Sequence, residues 1–418
     1  MVIESINSRT GISSSLLQTT QATLADLPRR LNAPSRNPTP NNSKTLPLLP
    51  RSIERNRQQW SSDANILKLE LPQRTLSPNL NPRQWLLTGN HRLARLVTAT
   101  IGDRWLTHLE DLQQLTPLAG DPLFQLQWQT IKQTNKQAFA KALQRLQGIK
   151  INVNSLFDLQ LQPICGHQRQ LLNILHIINL FDRLKQNPGI DILPRTFIFG
   201  DASVLQSPEI DSAVEASHSL VSDIERRETI ALIESLGRVL AADPDVCDKL
   251  QVIYVPESAA LTNQMFAAAD VTQQIATATT EDVDLGELKA AINGVISIGS
   301  LGKTNTWLQQ IVGAENCFRF GLAIPEIALF KEYGYDPYNY YKHYPQIRQA
   351  IDWLLSGHFT PDAPGLCKSI VDKLMGTDEH MVLADYMFYM ACQSLVSETY
   401  RHQATWTHMS IMNVAGVK

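Results

Sequence analysis

The sequence predicts an α/β chain in which a parallel sheet carries helices on both faces. Three observations support that expectation. Thr196-Phe-Ile-Phe199, Val252-Ile-Tyr-Val255 and Val295-Ile-Ser-Ile-Gly299 are short apolar runs rich in β-branched or aromatic residues, as strands buried on both faces require. Between them lie stretches with apolar residues at helical spacing, long enough to cross over a sheet. The two kinds of segment alternate, which gives a Rossmann-like parallel sheet rather than an antiparallel one.

Taken in order, residues 1–76 differ in kind from the rest. They are rich in Ser, Thr, Asn, Gln and Pro, with SRNPTPNNSKTLPLLP at their centre, and basic through Arg29, Arg30, Arg36, Lys44, Arg51, Arg55 and Arg57. So little apolar surface cannot offset ordering entropy, so a disordered N-terminal arm is expected ahead of one domain over 77–418. A short amphipathic helix fits Leu16 to Leu31. A Ser/Arg-rich start also suits an organelle transit peptide, but Glu4 argues against it.

From Asn81 the periodicity becomes helical. Leu93, Leu96, Val97 and Ile101 predict a helix over His91–Ile101 that Gly102 ends, and Leu123–Leu146 predicts one or two helices closed by Gly148. Arg169–Lys185 is apolar on more than one face, hence a buried helix, and Asn187-Pro188-Gly189 stops it. An acidic amphipathic helix is expected over Glu209–Leu240. Beyond Gly334 the chain is helical, and Tyr338, Tyr340, Tyr341, Tyr344, Trp353 and Phe359 are expected to be core packing.

Composition narrows the function classes. With 418 residues, 43% of them hydrophobic, the chain can bury a sizeable core. A net charge of −3 gives no general basic surface for nucleic acid. The five cysteines (Cys165, Cys247, Cys317, Cys367, Cys392) are scattered without metal-ligand spacing, so they are expected to be reduced thiols and no metal site is expected. No apolar run approaches a membrane span. A cytoplasmic protein is the expectation.

The stretch from Thr279 to Asn305 holds the chemistry. Lys289 lies between an acidic approach (Glu281, Asp282, Asp284, Glu287) and the Asn293-Gly294 turn that leads into the last predicted strand. A lysine so placed is either a Schiff-base lysine or a solvated helix residue paired with Glu281 or Glu287. The surrounding segments decide the family it resembles. NPRQWLLTGNHRLARLVTATIGDRWL from Asn81, INVNSLFDLQLQPICGHQRQLLNILHIINLFDRLK from Ile151, PRTFIFGDAS from Pro194 and LQVIYVPE from Leu250 follow one another in a characteristic order. AAADVTQQIATATTE from Ala267, LKAAINGVISIGSL from Leu288 and GYDPYNYYKHYPQIRQAIDWLLSGHFTP from Gly334 continue it, and VLADYMFYMACQSLV from Val382 ends it. In this order they resemble the C-terminal half of the α-glucan (glycogen, starch) phosphorylases, the C-terminal lobe of a GT-B-type fold.

That resemblance implies pyridoxal 5'-phosphate on Lys289, flanked by Trp85, with Gly286 and Arg169 on its phosphate side and Glu281 on the sugar. It also shows what has changed. The family's Lys-Arg pair falls on Gln162 and Pro163, its His-Glu-Tyr on Cys165, Gly166 and His167, and its following lysine on Gln168, with Arg169 and Gln170 kept. Its Gly-Thr-Gly is Asp284-Leu285-Gly286 here, its Gly-Gly-Lys-Ala is Gly200-Asp201-Ala202-Ser203, and its Glu-Asn-Tyr-Arg stretch is Pro256-Glu257-Ser258-Ala259. Each charge-assisted phosphate contact contributes roughly 1.5–3 kcal/mol, so losing three or four weakens the cofactor by several powers of ten. The family's N-terminal half and its terminal segment have no counterpart here. The expectation is therefore a catalytically inactive, phosphorylase-like binding or scaffold protein with vestigial site residues, no cofactor and a protein partner. The rival expectation is a split phosphorylase with pyridoxal phosphate at Lys289, completed by a separate N-terminal half. A sugar- or nucleotide-sugar-binding module using the crevice at the carboxyl ends of the strands is the weakest, since Gly299-Ser-Leu-Gly302-Lys303 is too short for a phosphate-gripping loop.

Overall fold

Parallel strands in the spatial order β3-β2-β1-β4-β5-β6 form the centre of the structure. They are β1 (Leu156–Leu161), β2 (Arg195–Gly200), β3 (Leu250–Val255), β4 (Val271–Gln274), β5 (Ile296–Ser300) and β6 (Phe318–Phe320). The computed structural model describes residues 82–161, 169–200, 220–256, 259–278, 285–363 and 365–417. The arm, Glu281 and residues 162–168, 201–203, 257–258 and 284 lie outside them. Around the sheet run α1 (Pro82–Gly89), α2 (His91–Ile101), α3 (Pro122–Gln147), α4 (Gln170–Gln186), α5 (Leu220–Ala242), α6 (Ala259–Ala268), α7 (Leu285–Ile292) and α8 (Lys303–Val312). After α9 (Ile324–Tyr333) come α10 (Pro337–His343), α11 (Pro345–Leu355), α12 (Leu366–Gly376), α13 (Val382–Arg401) and α14 (Gln403–Gly416). Asn81–Ala323 and Asp336–Lys418 make one compact unit, from which Ile324–Tyr335 separates. Within that separate stretch, Phe330 and Tyr335 meet edge-on at 5.9 Å.

The strand order reverses between β1 and β4, whose pairing sets Asp158 beside Val271 and Leu159 beside Thr272. Such a reversal leaves a crevice at the carboxyl ends of the two strands, the usual ligand position in open α/β sheets. One sheet face is apolar: Phe157, Leu159, Leu161, Ile198, Ile253 and Val255 pack on Phe139 and Leu143 of α3 and on Leu261, Met265 and Phe266 of α6. The other face is also buried and mostly apolar, with Phe197, Phe199, Val252 and Ile298 on it, but it holds one hydrogen-bonded polar group. Asp158 accepts from Arg195 Nη1 at 3.1 Å and from Gln273 Nε2 at 2.8 Å, while Arg195 also reaches Ser397 of α13 and Tyr389 reaches Gln273.

Local chemistry sets the helix ends. Asp121 accepts the amides of Leu123 and Phe124, Pro122 opens α3, and Gly148 closes it at φ 73°, so Leu123–Leu146 forms a single helix. Asn90 caps α2. The described part of the long acidic helix begins at Leu220, and its Glu225 pairs with Lys373 of α12. The aromatic-rich helices only partly meet expectation. Tyr340 and Phe359 are buried and Trp353 is half-buried, whereas Tyr338 is 55% exposed and stacks on Tyr341. Tyr338 is thus a surface residue: it follows the N-cap Asp336 and, two positions before buried Tyr340, lies on the opposite side of α10. None of the described helices is long and apolar enough to cross a membrane.

Candidate functional site

Lys289 sits in the middle of α7, and its neighbours fix the helix's rotation. Leu288, Ala291 and Ile292 enter the core with α1, α2, α3, α8 and α14, and Ala290 enters the core below the sheet. The C-terminal end is locked by the Asn293-Gly294 turn. Asn293 Nδ2 donates to Lys289 O at 2.8 Å, and Gly294 has φ 66°. A Cβ on Gly294 would fall 2.6 Å from Ser410 Oγ and 3.1 Å from the Trp128 ring, so only glycine fits. Ser410 Oγ donates to Gly294 O, and Trp128 Nε1 donates to Ser410 Oγ at 2.9 Å.

Lys289 is buried rather than solvated, which corrects the solvated-helix alternative. It is 8% exposed. Its Nζ stands 5.1 Å from the Phe266 ring centroid and 6.0 Å from that of Trp85, and among the described residues no carboxylate pairs with it. Glu287, two positions earlier, lies on a different side of α7, where its charge acts on Arg319 and Cys317. Burial lowers the Lys289 amine from 10.5 to about 8. At neutral pH about a tenth of it is therefore free base, against well below about a thousandth for an ordinary lysine. An amine so poised, walled by two rings, is a nucleophile for carbonyls.

The structure brings Trp85 to Lys289 and leaves Gly286 buried in the first turn of the same helix. Arg169 has other commitments. At the N-cap of α4, after β1, it is 1% exposed and spans the switch point: Nε donates to Ile275 O after β4, Nη1 to His380 O and Nη2 to Asp385 Oδ2 at 2.8 Å. Asp385 in turn accepts Leu322 N. Glu281, the expected sugar contact, lies outside the described residues.

Sequence reasoning missed two groups. Phe266 lies beside the Lys289 amine together with Trp85, but in sequence it is one apolar residue in the alanine-rich end of a helix. Lys132 of α3 donates to Ala269 O at 2.7 Å and reaches toward Asn293 O, and burial lowers it to about 8. One turn on, Lys136 pairs with buried Asp270. Two lysines four apart on a helix without any acidic residue were the signal that their partners come from elsewhere in the fold. Among the described residues no group of His, Cys, Asp or Glu is gathered to hold a metal ion.

Residues 77–418 match the family model described as carbohydrate phosphorylase. Over 337 residues the chain is 36% identical to the glycogen phosphorylase of Synechocystis sp. and to the brain-form glycogen phosphorylases of Ovis aries and Homo sapiens. Those matches cover 80% of this chain and 38% of each relative, so the chain spans well under half of their length. With the parallel sheet and its reversed strand order already in place, the chain belongs to the carbohydrate phosphorylase family.

Proposed function

We propose that this chain is a phosphorylase-type lobe that acts by binding another protein, as a scaffold or regulatory subunit in the cytoplasm, and does not itself turn over glucan. One observation carries the reading. Arg169, the cation retained from the family's phosphate cradle, is held in a buried pair with Asp385 and by two backbone carbonyls. Pyridoxal phosphate needs a reactive amine, an apolar wall and cations for a dianion. Lys289, Trp85 and Phe266 meet the first two needs. Arg169 does not meet the third, because freeing it would strand a buried carboxylate at a cost of about 3–5 kcal/mol. The replacements at Gln162, Pro163, Gln168 and Asp284 point the same way. The test is phosphate-dependent release of glucose 1-phosphate from glycogen by the purified chain, alongside co-purification from native extract. The expected outcome is no release above that of a Lys289→Ala variant, together with a stoichiometric protein partner. Release that Lys289→Ala abolishes overturns the proposal.

The Lys289 environment favours a second reading, a split α-glucan phosphorylase completed by a separate N-terminal half. A buried amine lowered to about 8 between two rings is what a cofactor lysine requires. This reading expects a visible absorbance band after incubation with pyridoxal phosphate and a borohydride-fixed mass on Lys289. A flat spectrum and an unmodified Lys289 remove it.

A further inference from the structure

A cavity of about 430 Å³ opens between the α1–α2 junction, α3 and α6, lined by Thr88, Arg92, Asn135, Lys141, Arg145 and Gln264 among others. Its charge is one-sided. Among the described residues it is lined by three cationic side chains and no carboxylate, and α1, α2, α3 and α6 contain no Asp or Glu along their whole lengths. In a chain of net charge −3 that is a local positive field. The C-terminal dipole of α3 offsets only about half a charge of it. The acidic residue packed on α3 near the cavity is Asp270, which Lys136 already pairs, and the helix's own acidic cap, Asp121, lies at the opposite end of its 26 residues.

The cavity also has a built base. Arg92, half-buried, donates through Nη1 to Asn135 Oδ1 at 3.2 Å. Asn135 is 6% exposed and is itself held, its Nδ2 donating to Asn90 Oδ1 at 2.9 Å and to Ala267 O at 3.3 Å. Asn90 is fixed as the cap of α2. The guanidinium is thereby oriented before any ligand arrives, while Lys141 and Arg145, one turn apart on α3, stand exposed at the rim.

We propose that this cavity binds a phosphorylated small molecule, with Arg92 gripping the phosphate at the base and Lys141 and Arg145 neutralising it from α3. The volume is that of a small-molecule site rather than a flat macromolecular interface. Three cations without a counter-charge call for a multiply charged anion, since a single carboxylate leaves two of them unmatched. The planar fork of Arg92 suits phosphate oxygens. This site is independent of whether Lys289 is catalytic.

The test is calorimetric titration of the full chain with inorganic pyrophosphate at low salt. Saturable one-to-one binding is expected, weakened tenfold or more in the Lys141→Ala/Arg145→Ala double variant. Both rim side chains are exposed, so the thermal midpoint of the double variant is expected to match wild type. Arg92→Lys, which keeps the charge and loses the fork, is expected to weaken binding as well. Three results would overturn the proposal: no saturable binding to wild type, equal binding to wild type and double variant, or a poly-glutamate peptide binding where pyrophosphate does not.

Discussion

Lys289 shows how a single side chain can weaken a fold while arming a site. Its amine titrates near 8 when folded and near 10.5 when unfolded. Between those values the unfolded chain binds more protons, so this residue makes stability rise with pH across that window; below about 8 the penalty for burying the ammonium is fully present. That penalty is about 3 kcal/mol at neutral pH, while the ring faces return only about 0.5–2 kcal/mol. Lys289→Met is therefore expected to raise stability at pH 7 by up to about 3 kcal/mol. It should also flatten the gain between pH 8 and 10, as read by urea midpoints of variant and wild type at the two ends of the window. Equal midpoints at pH 7 would mean the amine is hydrated. The sequence made Lys289 and Trp85 legible as a pair only through the order of surrounding motifs. The lysine's burial was not legible, because the second ring beside it, Phe266, comes from α6, more than twenty positions upstream.

At the scale of elements, β2, β3 and β5 could be read directly because continuous apolar runs need no partner to explain them. β1, β4 and β6 could not. Asp158 and Gln160 interrupt β1, Val271–Gln274 has three polar residues in four, and Arg319 divides β6. Most of these polar residues are nonetheless buried, and Asp158 and Gln273 are paired with groups from distant elements, which no local period reveals. The Asp158–Arg195 pair is the clearest case, with both side chains at most 2% exposed and burial raising the Asp158 carboxyl. Arg195→Leu is expected to cost about 3–5 kcal/mol, because it leaves a buried carboxylate unpaired. The double variant Asp158→Leu/Arg195→Leu should recover most of that loss in denaturant unfolding. If the single change costs under about 1 kcal/mol, the pair is not as dry as its burial indicates.

Across the whole molecule, the strand order and the two buried sheet faces are those of a phosphorylase-type lobe, whereas the sequence departures at Gln162, Pro163, Gln168 and Asp284 lie outside the described residues. A fold tolerates such drift because its stability resides in the packed faces, whereas function resides in the loops at the crevice. The same separation explains why family membership is readable here and activity is not: the motifs that define the family are mostly core. The ties between α3 and α14 carry a further consequence. Trp128 meets Ser410, Gln129 meets Thr407, and Ser410 holds the turn behind Lys289. A chain growing from the ribosome presents α3 nearly three hundred residues before the helix that seals it. Until those last turns emerge, the Gly294 turn that follows Lys289 lacks its Ser410 tie, and this part of the core waits for a contact of long sequence separation.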